Sequence, residues 1–325
     1  MKILITGGAG FLGSHLAETL LDRGDTVWVI DNLATGRKKN LKHALENPKF
    51  KFIEDDISKP GTIQTLVTEF SPEVVIHAAA SYKNPQDWQE DIRSNVLGTG
   101  LLVQALMSHP GGLKRLIYFQ TSLCYGLKPI EQPITLKHPY FGGTFAGGSS
   151  YAITKTAAEQ FIDMSGLPFI SFRLANMFGP RNISGPLPTF FKKIKNNEAC
   201  TIFDSRRDFV YVSDLVEVVV KAVDGVGANG FYHISSGEDF SIKEMFQHCL
   251  QSMGISDYAN VTYKPRTSDD TATILLDPSV TQKQFDWKIR HTLADGVKKA
   301  VAWYEENGID ETYTHLKLDP SKKTS

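Results

Sequence analysis

The run Thr6-Gly7-Gly8-Ala9-Gly10-Phe11-Leu12-Gly13 constrains this chain more than any other feature, because it joins two opposite periodicities. Before it, Lys2-Ile3-Leu4-Ile5-Thr6 reads as a buried strand; after it, Ser14–Leu21 carries a helical apolar period. Gly7 permits the tight turn, Gly10 lets the backbone approach a pyrophosphate, and Gly13 lets the helix pack close to the strand. The helix N-terminus then offers N–H groups and a positive dipole end to an anion. Such a strand–turn–helix unit is a dinucleotide cradle. Its contact residues are expected to be Gly7, Gly10, Phe11, Leu12 and Gly13.

The next elements extend the same expectation. A second strand ends in Val29-Ile30-Asp31-Asn32-Leu33, placing an acid about 20 residues past the glycines. There Asp31, with Asn32 beside it, accepts ribose hydroxyls and repels a 2′-phosphate, which favours NAD over NADP, although Arg37 lies close by. Asp56 and Ile57 follow a third strand, where the adenine belongs. Strand candidates Lys2–Thr6, Thr26–Ile30, Phe50–Ile53, Val74–His77, Leu116–Thr121 and Phe169–Arg173 alternate with helical segments such as Val96–Met107. This alternation predicts an α/β fold, a Rossmann-type doubly wound parallel sheet.

Beyond Gly179 prolines loosen the rhythm; a helical Thr189–Asn196 follows, and Gly230–Ile234 is expected to return to the main sheet. The rest, with an amphipathic Thr292–Asn307, reads as a smaller C-terminal substrate-binding α/β lobe. The expected division is residues 1–179 with 207–235 for the cofactor domain, 180–206 with 236–317 for the lobe, and 318–325 as a frayed tail.

Bulk properties exclude several function classes. With 325 residues, 22% charged and a net charge of −1, the chain has no basic field to attract nucleic acid. Its three cysteines, Cys124, Cys200 and Cys249, form no CxxC pair, which fits a reducing cytoplasm and no metal site. No stretch approaches the roughly 18 uninterrupted apolar residues of a membrane span. The first residues lack a signal-peptide pattern, so a cytoplasmic location is expected.

Ser150-Tyr151-Ala152-Ile153-Thr154-Lys155 opens a helical segment, and Tyr151 and Lys155, four apart, project from one face of it. A nearby ammonium and a positive nicotinamide ring would favour the phenolate, so Tyr151 is placed to take an alcohol proton as hydride leaves. Thr121, at the end of a strand of the same sheet, then donates a hydrogen bond to the same substrate oxygen. Cys124 has no histidine partner and reads as a small packed residue.

Together these motifs resemble the extended short-chain dehydrogenase/reductase family, in its nucleotide-sugar epimerase and dehydratase branch typified by UDP-glucose 4-epimerase. The resemblance covers nearly the whole chain. It rests on the glycine run, His77-Ala78-Ala79-Ala80, Asn95-Val96-Leu97-Gly98-Thr99, Thr121 with Tyr125-Gly126, and Tyr151 with Lys155. It continues through Arg173–Pro180 and Arg207–Asp214. Gln120–Gly126 and Gly185-Pro186-Leu187-Pro188-Thr189-Phe190-Phe191 look most similar to bacterial epimerases of O-antigen sugar biosynthesis.

The resemblance implies NAD as cofactor, with Ala78, Ala80, Asn95, Tyr151 and Lys155 added to its contacts. It implies a nucleotide-sugar substrate held by Lys83, Thr121, Asn176, Arg207, Arg266 and Asp269. A homodimer built on the faces of Val96–Met107 and Tyr151–Met164 is implied as well. Two departures stand out. A short connection between Phe203 and Arg207 argues against Phe203 stacking on the base. The segment Leu127–Ser150 is long and glycine-rich, and reads as a flap over the sugar or as a plain surface loop.

In the 4,6-dehydratases of this branch an Asp and a Glu follow the catalytic Thr and eliminate water. Here Ser122 and Leu123 stand there, and neither is a competent acid. The expectation is therefore an NAD-dependent epimerase acting at C4 of a UDP-hexose, in bacterial cell-surface polysaccharide biosynthesis. A nucleotide-sugar dehydrogenase or ketoreductase, or a dehydratase with relocated acids, remains the alternative. A non-enzymatic dinucleotide sensor has no need of the intact Thr121, Tyr151 and Lys155 set.

Overall fold

A computed structural model of the protein describes residues 1–109, 111–143, 149–266 and 271–313. Its main sheet has seven parallel strands. Six are β1 (Lys2–Thr6), β2 (Thr26–Asp31), β3 (Phe50–Glu54), β4 (Val74–His77), β5 (Arg115–Thr121) and β6 (Phe169–Leu174), and the seventh is Gly230–Ile234. In space they run β3-β2-β1-β4-β5-β6, with Gly230–Ile234 pairing in parallel beyond β6 as expected. The winding reverses between β1 and β4, so the loops leaving those strands diverge and open a crevice at the carboxyl edge.

Each central strand is apolar on both faces, because both are covered. Ile3, Ile5, Val74, Ile76, Ile117 and Phe119 enter one core, whereas Leu4, Val75, Leu116 and Tyr118, one residue out of phase, enter the other. On the first face lie α1 (Phe11–Asp22), α7 (Val212–Val223) and Phe285 of α9 (Ser279–Phe285). On the second lie α2 (Thr62–Phe70), α4 (Gly98–Ser108) and α5 (Ser150–Met164).

Sequence period suggested a helix from Val96. It begins earlier, at α3 (Trp88–Asp91), where the Asp87 carboxylate accepts the Glu90 N–H at 3.1 Å. Between α3 and α4 the backbone widens into a π turn over Ile92–Leu97. A third apolar core joins α6 (Pro186–Lys195), α8 (Ile242–Ser252) and α10 (Leu293–Asn307), with the Phe190 and Phe246 rings edge to face at 5.1 Å. The helix expected from Thr292 has that residue as its N-cap, the hydroxyl accepting the Asp295 N–H at 3.2 Å.

Candidate active site

The glycine run forms the turn its spacing predicts. Gly7 sits at φ +69°, and a Cβ there would lie 2.6 Å from the Ala79 Cα. A Cβ on Gly13 would lie 2.4 Å from the Gly7 carbonyl oxygen, so this glycine is what brings α1 against β1. The N-cap of α1 is Gly10, which brings no side chain to the first-turn N–H groups of Phe11 and Leu12. These features suit a diphosphate laid across the turn.

Asp31 is buried at the end of β2, where its two oxygens accept N–H groups of Leu33 at 2.8 Å and Ala9 at 2.9 Å. Burial pushes its carboxyl upward despite those hydrogen bonds. Each oxygen keeps a lone pair for a ribose hydroxyl. Asn32 donates to Asp56 at 3.0 Å, and Arg93 reaches the same Asp56 oxygen at 2.7 Å. Burial raises the Asp56 carboxyl, but Ser58, Asn32 and the Arg93 charge outweigh it and bring it to about 2. Ile57 lies buried beside this cluster, against Gly98.

Beyond β4, the Ala78 N–H donates to the Thr6 carbonyl at 3.0 Å, and Ala80 is half-buried in the loop that follows. Asn95, within the π turn, accepts the Ser81 N–H at 2.8 Å and donates to the Thr154 hydroxyl at 3.0 Å. It therefore ties the loop after β4 to α5. His77, buried between the hydroxyls of Thr6 and Thr99, is lowered to about 3 by burial and by the Lys155 charge, and stays neutral.

Thr121 ends β5, and Tyr151 and Lys155 lie on α5, which packs against β5. The Ser149 hydroxyl caps α5 by accepting the Ala152 N–H at 3.1 Å, which fixes where the helix starts. One turn on, the Lys155 carbonyl takes hydrogen bonds from the Tyr118 hydroxyl at 3.0 Å and the Gln120 amide at 3.1 Å. The Lys155 Nζ lies 4.0 Å from the centre of the Tyr118 ring. Thr121 is the next residue along β5; its Oγ1 accepts the Leu123 N–H at 3.2 Å, leaving its O–H to donate.

Charge in this corner is finely set. Burial lowers Lys155 to about 7, with the Glu159 carboxylate pulling the other way. Burial also pushes the Tyr151 phenol well up, reinforced by Tyr82 and Asp91. Without a bound cation the phenol keeps its proton at neutral pH.

The substrate-side residues are dispersed around the crevice. Asn176 donates to the Asp208 carbonyl at 3.2 Å, and Arg207 Nη1 donates to the carbonyls of Arg206 at 2.7 Å and Thr271 at 3.1 Å. Arg206 pairs with Asp239 at 2.9 Å. Arg266 is exposed just past the Val261–Lys264 strand, and the Lys83 Nζ stands 4.9 Å from the Tyr313 ring centre. Asp269, the loop residues 144–148 and the tail 318–325 lie outside the described residues. The first part of the long segment before α5 is pinned: Ile134 exchanges backbone hydrogen bonds with Leu275 and Asp277, and Tyr140 accepts from Arg173 at 2.6 Å.

Phe203 ends a short strand paired with Val261–Lys264. Cys124 is fully buried, and burial pushes its thiol up, so it is no nucleophile. Sequence reasoning passed over Tyr118, Asp91 and the π turn; an acid and an amide four residues apart, Asp91 and Asn95, were the available signal.

Comparison with known proteins agrees with this geometry. The profile of the "NAD dependent epimerase/dehydratase family" matches residues 3–235. UDP-glucuronic acid decarboxylase 1 of Arabidopsis thaliana is 31% identical over 96% of this chain and 71% of its own length. A putative UDP-glucose 4-epimerase of Methanocaldococcus jannaschii is 29% identical over 94% of this chain and 99% of its own. Among solved structures, Bordetella bronchiseptica WbmH in complex with NAD+ is 45% identical, covers 95% of this chain and 100% of its own, and superposes with a TM-score of 0.89. WbmG of the same organism, with NAD and UDP, is 38% identical over 97% of each chain at a TM-score of 0.86. With its profile matched over most of the chain, the protein belongs to the NAD dependent epimerase/dehydratase family.

Proposed function

We propose that the protein is an NAD-dependent nucleotide-sugar epimerase that oxidises C4 of a UDP-hexose and reduces it again on the opposite face. The observation that carries this reading is the corner of β5 and α5. It holds a donor, a phenol and a lysine for hydride chemistry, while Ser122 and Leu123, which continue directly from Thr121, offer no acid for elimination. NAD, when bound, supplies the hydride acceptor and donor. Thr121 orients the reacting hydroxyl, Tyr151 takes its proton and later returns it, and Lys155 holds the nicotinamide ribose and steadies the phenolate.

In the same reading Asn176, Arg207, Arg266 and Asp269 hold the nucleotide diphosphate and ribose, and Lys83 orients the phosphate or sugar. The two arginines suit that task because guanidinium meets phosphate oxygens in pairs. UDP is favoured; the structural relative WbmG was solved with UDP beside its NAD. A bacterial cell-surface polysaccharide pathway is the setting we infer from the motif resemblance at Gln120–Gly126 and Gly185–Phe191, and free buried cysteines suit a cytoplasmic one.

A homodimer completes the proposal. Trp88, Ile92, Leu97, Ile153, Phe161 and Met164 are exposed on α3, the π turn and α5, which pack side by side, and Met164 is 77% exposed. An apolar face of this kind marks an interaction surface.

The test is to incubate purified protein, without added cofactor, with a panel of UDP- and GDP-sugars that includes UDP-glucuronate, and to identify products by chromatography and NMR. A C4 epimer formed by protein carrying its own NAD supports the reading. Steady NADH change, a 4-keto sugar or loss of carbon dioxide points instead to a dehydrogenase, dehydratase or decarboxylase.

A further inference from the structure

Just past α10, residues 308–313 cross from the core of α6, α8 and α10 toward the glycine turn. Gly308 ends the helix at φ +70°, and Ile309 packs on that core. Lys192 of α6 donates to the Asp310 carbonyl at 2.5 Å. Tyr313 exchanges backbone hydrogen bonds with the loop before α6: its N–H donates to the Ile183 carbonyl at 2.9 Å, and its carbonyl accepts from Gly185 at 3.0 Å. On the cradle side the contacts pass to charged side chains. Glu311 pairs with Arg37 and Asp310 with Lys39, each at 3.4 Å, and the Lys83 Nζ stands over the Tyr313 ring. Arg37 belongs to the loop after β2. Its N–H donates to the Ala9 carbonyl at 3.0 Å, which the Asn40 amide also reaches at 2.9 Å, so this loop is tied to the glycine turn. A cavity there is lined by Phe11, Thr35 and Tyr82 on one side and by Ile183, Ile309 and Asp310 on the other. Phe11 opens α1, whose first-turn N–H groups suit a diphosphate.

We propose that residues 308–313 are a strap across the mouth of the NAD site, closed by the Glu311–Arg37 and Asp310–Lys39 pairs, and that its opening sets the rate of cofactor release. The proposal rests on the cradle holding NAD and not on the reaction that NAD serves. The two sides of the strap are unlike. Backbone hydrogen bonds and apolar packing hold it to α6 and the loop before that helix. Exposed ion pairs hold the other side; such pairs add little each and are screened by salt, so that side opens first. A cofactor that takes a hydride and gives it back in one turnover must stay bound between the two steps, and a slow exit serves that need.

The experiment loads the protein with radiolabelled NAD, chases it with excess unlabelled NAD and follows the label retained, with no sugar present. The double variant Asp310→Lys with Glu311→Lys is expected to release label roughly tenfold faster, the combined effect of two exposed pairs made repulsive. Raising salt from about 0.05 to about 0.5 M speeds release from wild type more steeply than from the double variant, since salt screens attraction only where the pairs exist. Exchanging the charges of one pair, Lys39→Asp with Asp310→Lys, brings release back toward the wild-type rate from that of Asp310→Lys alone. Amide hydrogen exchange reads the chain itself: the Tyr313 N–H stays protected in the double variant, because the strap opens at Asp310 and Glu311 and not there. Release from the double variant at the wild-type rate overturns the proposal, as does a charge exchange that leaves release as fast as in Asp310→Lys. Lost protection at Tyr313 also overturns it, since the substitutions would then have unfolded the segment instead of opening it. If no nucleotide sugar is turned over, the epimerase reading falls, yet the release rates still decide what the strap does.

Discussion

A single methyl group at Gly13 would press within 2.4 Å of the Gly7 carbonyl, where nothing can yield but backbone. Gly13→Ala is expected to cost about 1–3 kcal/mol, the usual range for overpacking, and to loosen NAD. Thermal melting and the NAD retained through gel filtration check both effects. Tyr151→Phe acts on chemistry alone: kcat is expected to fall roughly 10²–10⁴-fold, the range of a lost general base, with NAD retained as in wild type. At this scale the cradle and the Tyr151–Lys155 pair were legible because their chemistry fixes residue type and spacing. Asp91 was not. An acid on a helix of mixed charge reads as a solvated side chain, yet the fold buries it.

Among elements, strands β1 to β6 were legible because both faces of the sheet are covered, so their apolar runs stand out from the helices between them. The π turn at Ile92–Leu97 was not, since its hydrogen bonds answer to Asn95, Ser81 and Thr154 rather than to local period. A buried cluster likewise joins elements far apart in sequence. Arg173 of β6 binds Glu159 of α5 at 3.0 Å and the hydroxyls of Tyr125 and Tyr140 at 2.7 and 2.6 Å. Through Tyr140 it anchors the segment that leads into the catalytic helix. Arg173→Met strands the Glu159 carboxylate in the core and is expected to cost about 3–5 kcal/mol, the usual result of removing one member of a buried pair. Chemical denaturation measures it; a loss within experimental error would show that Glu159 finds other donors.

For the whole molecule, the sheet's reversal between β1 and β4 places the glycine turn, the Asp31 loop and the β5–α5 corner along one edge. That edge is where sheets of this winding take their ligands. Exposed apolar residues lie on α3, the π turn and α5, which pack together. The double variant Phe161→Glu with Met164→Glu is expected to halve the mass of the wild-type particle in light scattering. A wild-type particle already of monomer mass would remove the dimer from the proposal. Arg207 and Arg266 stand out as motifs, but the sugar of the proposed reaction does not, because pocket shape is set by residues scattered over several loops.

One measurement bears on the hydride's return more directly than any variant: turnover of the UDP-hexose identified in the substrate panel, carrying deuterium at C4. An epimerase of the kind proposed returns the same hydride to the opposite face, so the inverted product keeps deuterium at C4 while the bound NAD ends each cycle unchanged. Loss of the label to water, or its accumulation in free NADH, would contradict that cycle.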